Sequence, residues 1–206
     1  MIEFLQKIMP HVVEKFPELI TCTIQTIQMV CESGLISFCI GLIFGIVLTV
    51  TRKDDILENA VVYQIFDKVI NIFRSIPFVI LLAALIPLTR AVAGTAIGTK
   101  GAMIPLVFGT VPFFSRQIEA ALAQLDRGLI EAGRSMGNSP LEIIFRIYLR
   151  ESIPHIVRAT TITFISLIGL TAMAGSIGGG GLGDFAIRFG YQRNQTDITY
   201  VTVVIL

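Results

Sequence analysis

Charge is what this chain has least of. Only 15% of its 206 residues are Asp, Glu, Lys or Arg, whereas an ordinary soluble domain carries about 25%. The shortfall excludes a fully solvated surface and implies that much of the outside faces lipid. Net charge is +1, so no basic field points to nucleic acid as a partner. No G-x-x-x-x-G-K-[ST] segment occurs, so the chain cannot hold ATP on a phosphate-binding loop. If ATP drives it, another polypeptide binds the ATP. The two histidines, His11 and His155, have no neighbours at metal-ligand spacing and read as surface or interface positions. The three cysteines, Cys22, Cys31 and Cys39, also lack such partners and read as small buried hydrophobes. No Ser-His-Asp or Cys-His constellation can be assembled within one membrane layer, so enzymatic chemistry and a metal site are not expected. Glu3, Lys7, Glu14, Lys15 and Glu18 leave no clean apolar core near the start, so no signal peptide is expected.

What is abundant is apolar residue, 53% of the chain, with a mean hydropathy of +0.77. A bilayer is crossed by about 20 apolar residues in a helix. Ser33 to Thr51 carries no charge, and Gly34, Gly41 and Gly45 offer small faces for close helix packing. The patterning predicts one all-α, polytopic membrane domain over residues 1–206. Its five spans lie near 21–51, 69–88, 101–122, 156–176 and 198–206, the last too short to cross and expected to continue beyond the end. Pro77 predicts a kink in the second span. Arg116 and Glu119, three apart in the third, share a helical face and can pair.

Basic residues orient such a chain. One side collects Arg52, Lys53, Lys68, Arg74, Arg116, Arg127, Arg134, Arg146, Arg150 and Arg158. The other collects Lys7, Lys15, Arg90, Lys100, Arg188 and Arg193. The richer side is read as cytoplasmic, which leaves the N-terminus outside and residues 126–154 inside.

That inner segment, from Leu129 to Pro154, has its own local grammar. Gly137-Asn138 is a helix stop, because Gly tolerates the left-handed turn. Ser139-Pro140-Leu141-Glu142 has the form of a capping box with Pro at the first helical position. The loop therefore reads as helix, tight turn, helix. Gly178-Gly179-Gly180-Gly181-Leu182-Gly183 fits a dinucleotide pattern formally, but it follows an apolar helix rather than a strand. A flexible exit with backbone packed closely against neighbours is the better reading. Charge at mid-bilayer costs about 2.5–3.5 kcal/mol, so Arg74 and Glu32 either face a cavity or lie at the interface. The small and hydroxyl residues between Thr160 and Ser176 fit either a path lining or tight helix packing.

Glu131-Ala132-Gly133, Gly137, Ile147 and Leu149 resemble the EAA loop of ABC importer permeases. Asn71 to Phe78, Ile86-Pro87, Thr89-Arg90, Gly94-Thr95, Ile97-Gly98 and Ala172-Met173 ahead of Gly179 to Gly183 narrow the likeness to methionine-type permeases. The resemblance implies a five-helix, type I importer permease fold in a bacterial inner membrane. It implies a homodimer joined to two copies of an ABC ATPase, which hold the ATP and Mg, and supplied by an extracytoplasmic substrate-binding lipoprotein. Glu131, Ala132, Gly133, Gly137, Ile147 and Leu149 would then couple to the ATPase. Met173, with Arg74, Ser75 and Pro77, would form the path or its gate. One departure is local: the family pattern ends in Leu-Pro, whereas here Leu149-Arg150 stands, with Pro154 next. The second helix of the loop is expected to run a turn further. A permease for another amino acid or small solute, a self-sufficient secondary transporter, and a purely anchoring subunit are the alternatives. The secondary transporter would predict inverted repeats and paired mid-membrane carboxylates.

Overall fold

The computed structural model describes residues 9–206; Glu3 and Lys7, weighed above, lie outside them. All regular structure among the described residues is helical. The order is α1 (Pro10–Glu14), α2 (Phe16–Thr51), α3 (Ala60–Ser75), α4 (Phe78–Ala84), α5 (Ile86–Ala93) and α6 (Gly98–Leu122). There follow α7 (Arg127–Ser135), α8 (Pro140–Glu142), a π-helical stretch Ile143–Tyr148, α9 (Leu149–Glu151) and α10 (Ile153–Ala174). After a π-helical exit Gly175–Gly179 come α11 (Gly181–Phe185), a third π stretch Ala186–Tyr191, and α12 (Thr196–Ile205).

Among the described residues, two helical stretches are long and apolar enough to cross a membrane, Phe16–Thr51 and Ile153–Gly179. The first carries an exposed stripe of Ile20, Ile24, Ile27, Leu35 and Ile43, at helical spacing on one face. Cys31 and Cys39 fall on that stripe and are exposed, which corrects the expectation that all three cysteines are buried; only Cys22 is. Periodicity explains the difference, since positions 31 and 39 continue the run 27, 35, 43.

The expected second span is not one helix. Residues 69–88 are divided among α3, α4 and α5. Pro77 has no N–H to donate and its ring disfavours helical geometry in the residue before it. Ile76 is accordingly extended, with φ −82° and ψ 123°. A second interruption falls at Leu85, with Pro87 in the first turn of α5. By contrast α6 runs unbroken past Pro105 and Pro112.

The chain forms two compact units. One comprises the residues up to Gly34, Pro77–Val107 and Ser166–Leu206; the other comprises Leu35–Ile76 and Phe108–Ile165. In the first, Val12, Leu19, Cys22, Leu182, Phe185, Phe189 and Ile198 make the core. Its short helices are tied by polar bonds to backbone. The Gln25 side chain accepts the Gly181 N–H at 2.9 Å, and Thr26 Oγ1 accepts the Leu182 N–H at 2.8 Å. Asp197 accepts the His11 N–H at 3.0 Å, so His11 is half-buried against α12. The glycine tract breaks the helix at Ile177 and Gly178, and Gly178, Gly180 and Gly181 all have positive φ. The close backbone packing expected of this exit is present: a Cβ on Gly179 would lie 2.7 Å from the Ala174 carbonyl oxygen.

In the second unit the core is Val50, Phe114, Ile118, Ala121, Leu122, Ile130, Ile143, Ile144, Tyr148 and Ala159. It joins α2, α6, the 126–154 loop and α10. Gly41 and Gly45 let α2 approach α6: a Cβ on Gly41 would lie 2.7 Å from Phe114 Cδ1, and one on Gly45 2.5 Å from Ile118. Of the small-residue face read from the sequence, Gly41 and Gly45 thus lie at this contact.

Candidate functional site

The 126–154 loop is built from local signals that all agree. Asp126 caps α7, its Oδ1 accepting the Gly128 N–H at 2.9 Å, which satisfies one of the orphan donors of a first turn. Gly137 has φ +80°. Its N–H donates to the Arg134 carbonyl at 3.0 Å, and the Asn138 N–H donates to the Gly133 carbonyl at 3.2 Å. That pair of bonds is a Schellman stop. Ser139 then starts the next helix. Its N–H donates to Glu142 Oε2 at 2.9 Å, while its Oγ accepts the Glu142 N–H at 3.4 Å. The Ser139 backbone N–H, then its hydroxyl, hold Glu142 below the usual carboxylate range, with Arg146 nearby adding to the effect. The second helix runs through α9 to Glu151 and ends at Ser152. It therefore passes position 150 unbroken, as the missing proline implied, and Pro154 falls in the first turn of α10.

The residues singled out in this loop divide by exposure. Glu131 and Ala132 are exposed, as is Gly137. Gly133 is buried, and a Cβ there would collide with Ile147 Cδ1. The structure thus brings Gly133 and Ile147 together as one packing contact. Ile147 and Leu149 are half-buried against the core. Glu131 lines a small cleft of about 50 Å³ with Asp54, Asp55, Arg127, Ile130 and Arg134. Among the described residues it makes no ion pair.

Sequence reasoning missed two features of the loop. Met136, Leu141 and Phe145 are 72%, 65% and 66% exposed, apolar side chains presented outward from an otherwise polar segment. Their apolar character in a charged stretch was the available signal. Tyr148 is fully buried, and its hydroxyl donates to Asp55, at 2.7 Å from Oδ1 and 2.9 Å from Oδ2. Burial, then the Asp55 carboxylate, push the Tyr148 phenol above its ordinary range. Nothing in the local sequence announces a partner so far along the chain.

The path candidates are placed separately. Arg74 and Ser75 occupy the exposed last turn of α3, where a cation suits the helix dipole. Ser75 Oγ donates to the Ile72 carbonyl at 2.8 Å. Pro77 is the exposed residue before α4. Met173 is 42% exposed near the end of α10. Arg74 and Ser75 belong to one compact unit, Pro77 and Met173 to the other. Glu32 is exposed and accepts from Gln28 at 2.8 Å.

Between α3 and α6 lies a charged cluster of which the sequence showed only half. Arg116 donates to Glu119 at 2.7 Å, as expected, and also to the Asp67 carboxylate and to Asn71 at 3.2 Å. The Tyr63 hydroxyl donates to Glu119 at 3.4 Å. The cluster closes two helices over a guanidinium whose fork suits two carboxylates.

The chain belongs to the family of binding-protein-dependent transport system inner membrane components, which matches residues 40–206. It is 46% identical to the probable D-methionine transport system permease protein MetI of Vibrio cholerae, over 91% of this chain and 84% of that protein. It is 46% identical to the D-methionine transport system permease protein MetI of Escherichia coli, over 73% and 70%. Its fold matches a solved structure of the MetNI methionine ABC transporter in an inward-facing conformation, with a TM-score of 0.88 and 40% identity over 93% of this chain and 91% of that one. An amino acid ABC transporter structure at 19% identity shares the fold, with a TM-score of 0.76 over 96% and 89%.

Proposed function

We propose that this chain is the permease subunit of an ATP-driven importer and forms the translocation path for an amino acid, methionine, by alternating access. The reading rests above all on the 126–154 loop: a rigid, doubly capped turn that exposes Met136, Leu141 and Phe145. Exposed apolar side chains on a polar rim are what a protein partner covers. In this reading the partner is a separate ABC ATPase, two copies serving a homodimer of the chain. The ATP and Mg lie on that ATPase, and this chain carries no catalysis. Glu131, Ala132, Gly133, Gly137, Ile147 and Leu149 shape the coupling surface, Gly133 by letting Ile147 seat against α7. An extracytoplasmic lipoprotein delivers the substrate. In this reading the chain lies in a bacterial inner membrane as a multi-pass protein, with its N-terminus outside and the loop in the cytoplasm.

The path is closed on the twofold axis by Met173, a flexible apolar side chain that can seal and part without breaking hydrogen bonds. Pro77, in the same compact unit as Met173, lines it before α4. Similarity to D-methionine permeases supports the substrate class.

The test has two parts. Affinity purification of the chain from its native membrane is expected to bring an ABC ATPase with it, and proteoliposomes of that complex with the binding protein should take up methionine only with ATP. Uptake driven by an ion gradient without ATP would overturn the reading in favour of a secondary transporter. Orientation is checked in a variant free of native cysteines. Ser139→Cys should react with an impermeant thiol reagent only from the cytoplasm, and Gln192→Cys only from outside.

A further inference from the structure

Asp55 sits in the turn between α2 and α3, and its side chain is 5% exposed. A carboxylate so buried needs donors, and it has three. Tyr148 donates its hydroxyl from the π stretch of the loop, Arg52 Nε donates at 3.0 Å, and the Ile56 N–H donates at 2.8 Å. The turn that carries it is itself fastened at both ends. The Leu57 N–H donates to the Val50 carbonyl at 2.9 Å and the Asn59 N–H to the Thr51 carbonyl at 3.0 Å, so the turn is locked to the last residues of α2. The Asn59 side chain then caps α3 by accepting the Val61 and Val62 N–H groups, each at 3.1 Å. Tyr148 is equally fixed at its other end, its ring fully buried in the core with Phe114, Ile118 and Ile143.

We infer that Asp55 is the positioning residue through which movement of the 126–154 loop reaches α2 and α3. This inference rests on the permease reading. Displacing the loop shifts Tyr148, whose hydroxyl holds Asp55, whose turn holds the end of one helix and the cap of the next. π-helical segments commonly mark functional sites within helices, and here the widened turn ends on the residue that makes the contact. The bond is charge-assisted and largely removed from water, so it transmits displacement rather than slipping.

The experiment compares methionine transported per ATP hydrolysed in proteoliposomes of the assembled complex. Tyr148→Phe removes one hydroxyl and keeps the buried ring. It is expected to lower transport per ATP about tenfold or more, the order of one hydrogen bond to a charged group, with the yield of complex unchanged. Asp55→Ala should do the same, and the double variant should be no worse than Asp55→Ala alone. Asp55→Asn, which keeps an acceptor oxygen for Tyr148, should restore much of the ratio. An unchanged ratio in Tyr148→Phe, or transport and hydrolysis falling together at constant ratio, overturns the inference. A parent complex that shows no ATP-dependent uptake overturns the permease reading itself, and does so before any substitution is made.

Discussion

Glycines occupy the tightest places in both compact units, yet what they lie against differs. Around the end of α10, glycine meets backbone. A Cβ on Gly175 would lie 2.5 Å from the Asp184 nitrogen and 2.8 Å from the Gly180 carbonyl oxygen, and one on Gly183 would collide with the Ala172 carbonyl. In the unit that carries the 126–154 loop, glycine mostly meets side chains: Gly41 faces Phe114, Gly45 faces Ile118, and Gly133 faces Ile147. The first arrangement fixes a chain path, because backbone cannot be trimmed. The second fixes a packing pair, because either member can change size if the other compensates. Gly175 and Gly183 therefore fix a shape, whereas Gly41, Gly45 and Gly133 fix side-chain contacts that can be exchanged.

The comparison breaks most readily at Gly183. Gly183→Val is expected to cost about 3 kcal/mol or more, by overpacking that no side chain can relieve. Thermal denaturation in detergent should show loss of the folded chain, with no rescue from trimming neighbours. Gly45→Ala should cost less, about 1–3 kcal/mol, and Ile118→Ala should restore part of it. Rescue at both sites or at neither would erase the distinction. Gly137 is a third kind. Nothing lies within 4 Å of a Cβ there, so only its positive φ demands glycine. Gly137→Val should cost about 1–2 kcal/mol in the left-handed turn. Insertion should survive while binding of the ATPase, measured by co-purification, weakens. Met173→Ala should barely change the yield of folded chain, since the side chain is half-exposed, and should instead raise passive leak of solute from liposomes. A fall in stability without leak would make Met173 a packing residue.

The smallest effect concerns pH. Glu142 is held below the usual carboxylate range by Ser139. A lowered folded-state value means its contribution is complete above the ordinary range and is lost as pH falls through the lowered one. Protection of the amides following Ser139, measured against the intrinsic exchange rate at each pH, should therefore fall on acidification. In Ser139→Ala, which removes the cap at a cost of about 1 kcal/mol, exchange should already be quick near neutral pH. Identical acid profiles in the two proteins would mean that the capping box does not hold this turn.

What could be read in the residues followed how far apart the interacting groups lie along the chain. The Gly137 stop, the Ser139 to Glu142 box, the break at Pro77, the Arg116–Glu119 pair and the helix running past Arg150 all involve residues within about one or two helical turns. Backbone sterics and short-range hydrogen bonds decide them, and those travel with the sequence. The apolar composition likewise determined that the chain is helical and made for lipid, because backbone polar groups out of water must pair within the segment. Other features join residues far apart in the chain, and only the tertiary structure decided them. Tyr148 meets Asp55, Arg116 meets Asp67 and Asn71, Gly133 takes Ile147, and Gln25 and Thr26 hold the glycine tract. Which carboxylate a buried hydroxyl reaches depends on how helices pack, and packing is a property of all the faces at once. The same holds for Cys31 and Cys39. Their residue type favours burial, but the face of α2 on which they lie was settled by what the opposite face packs against.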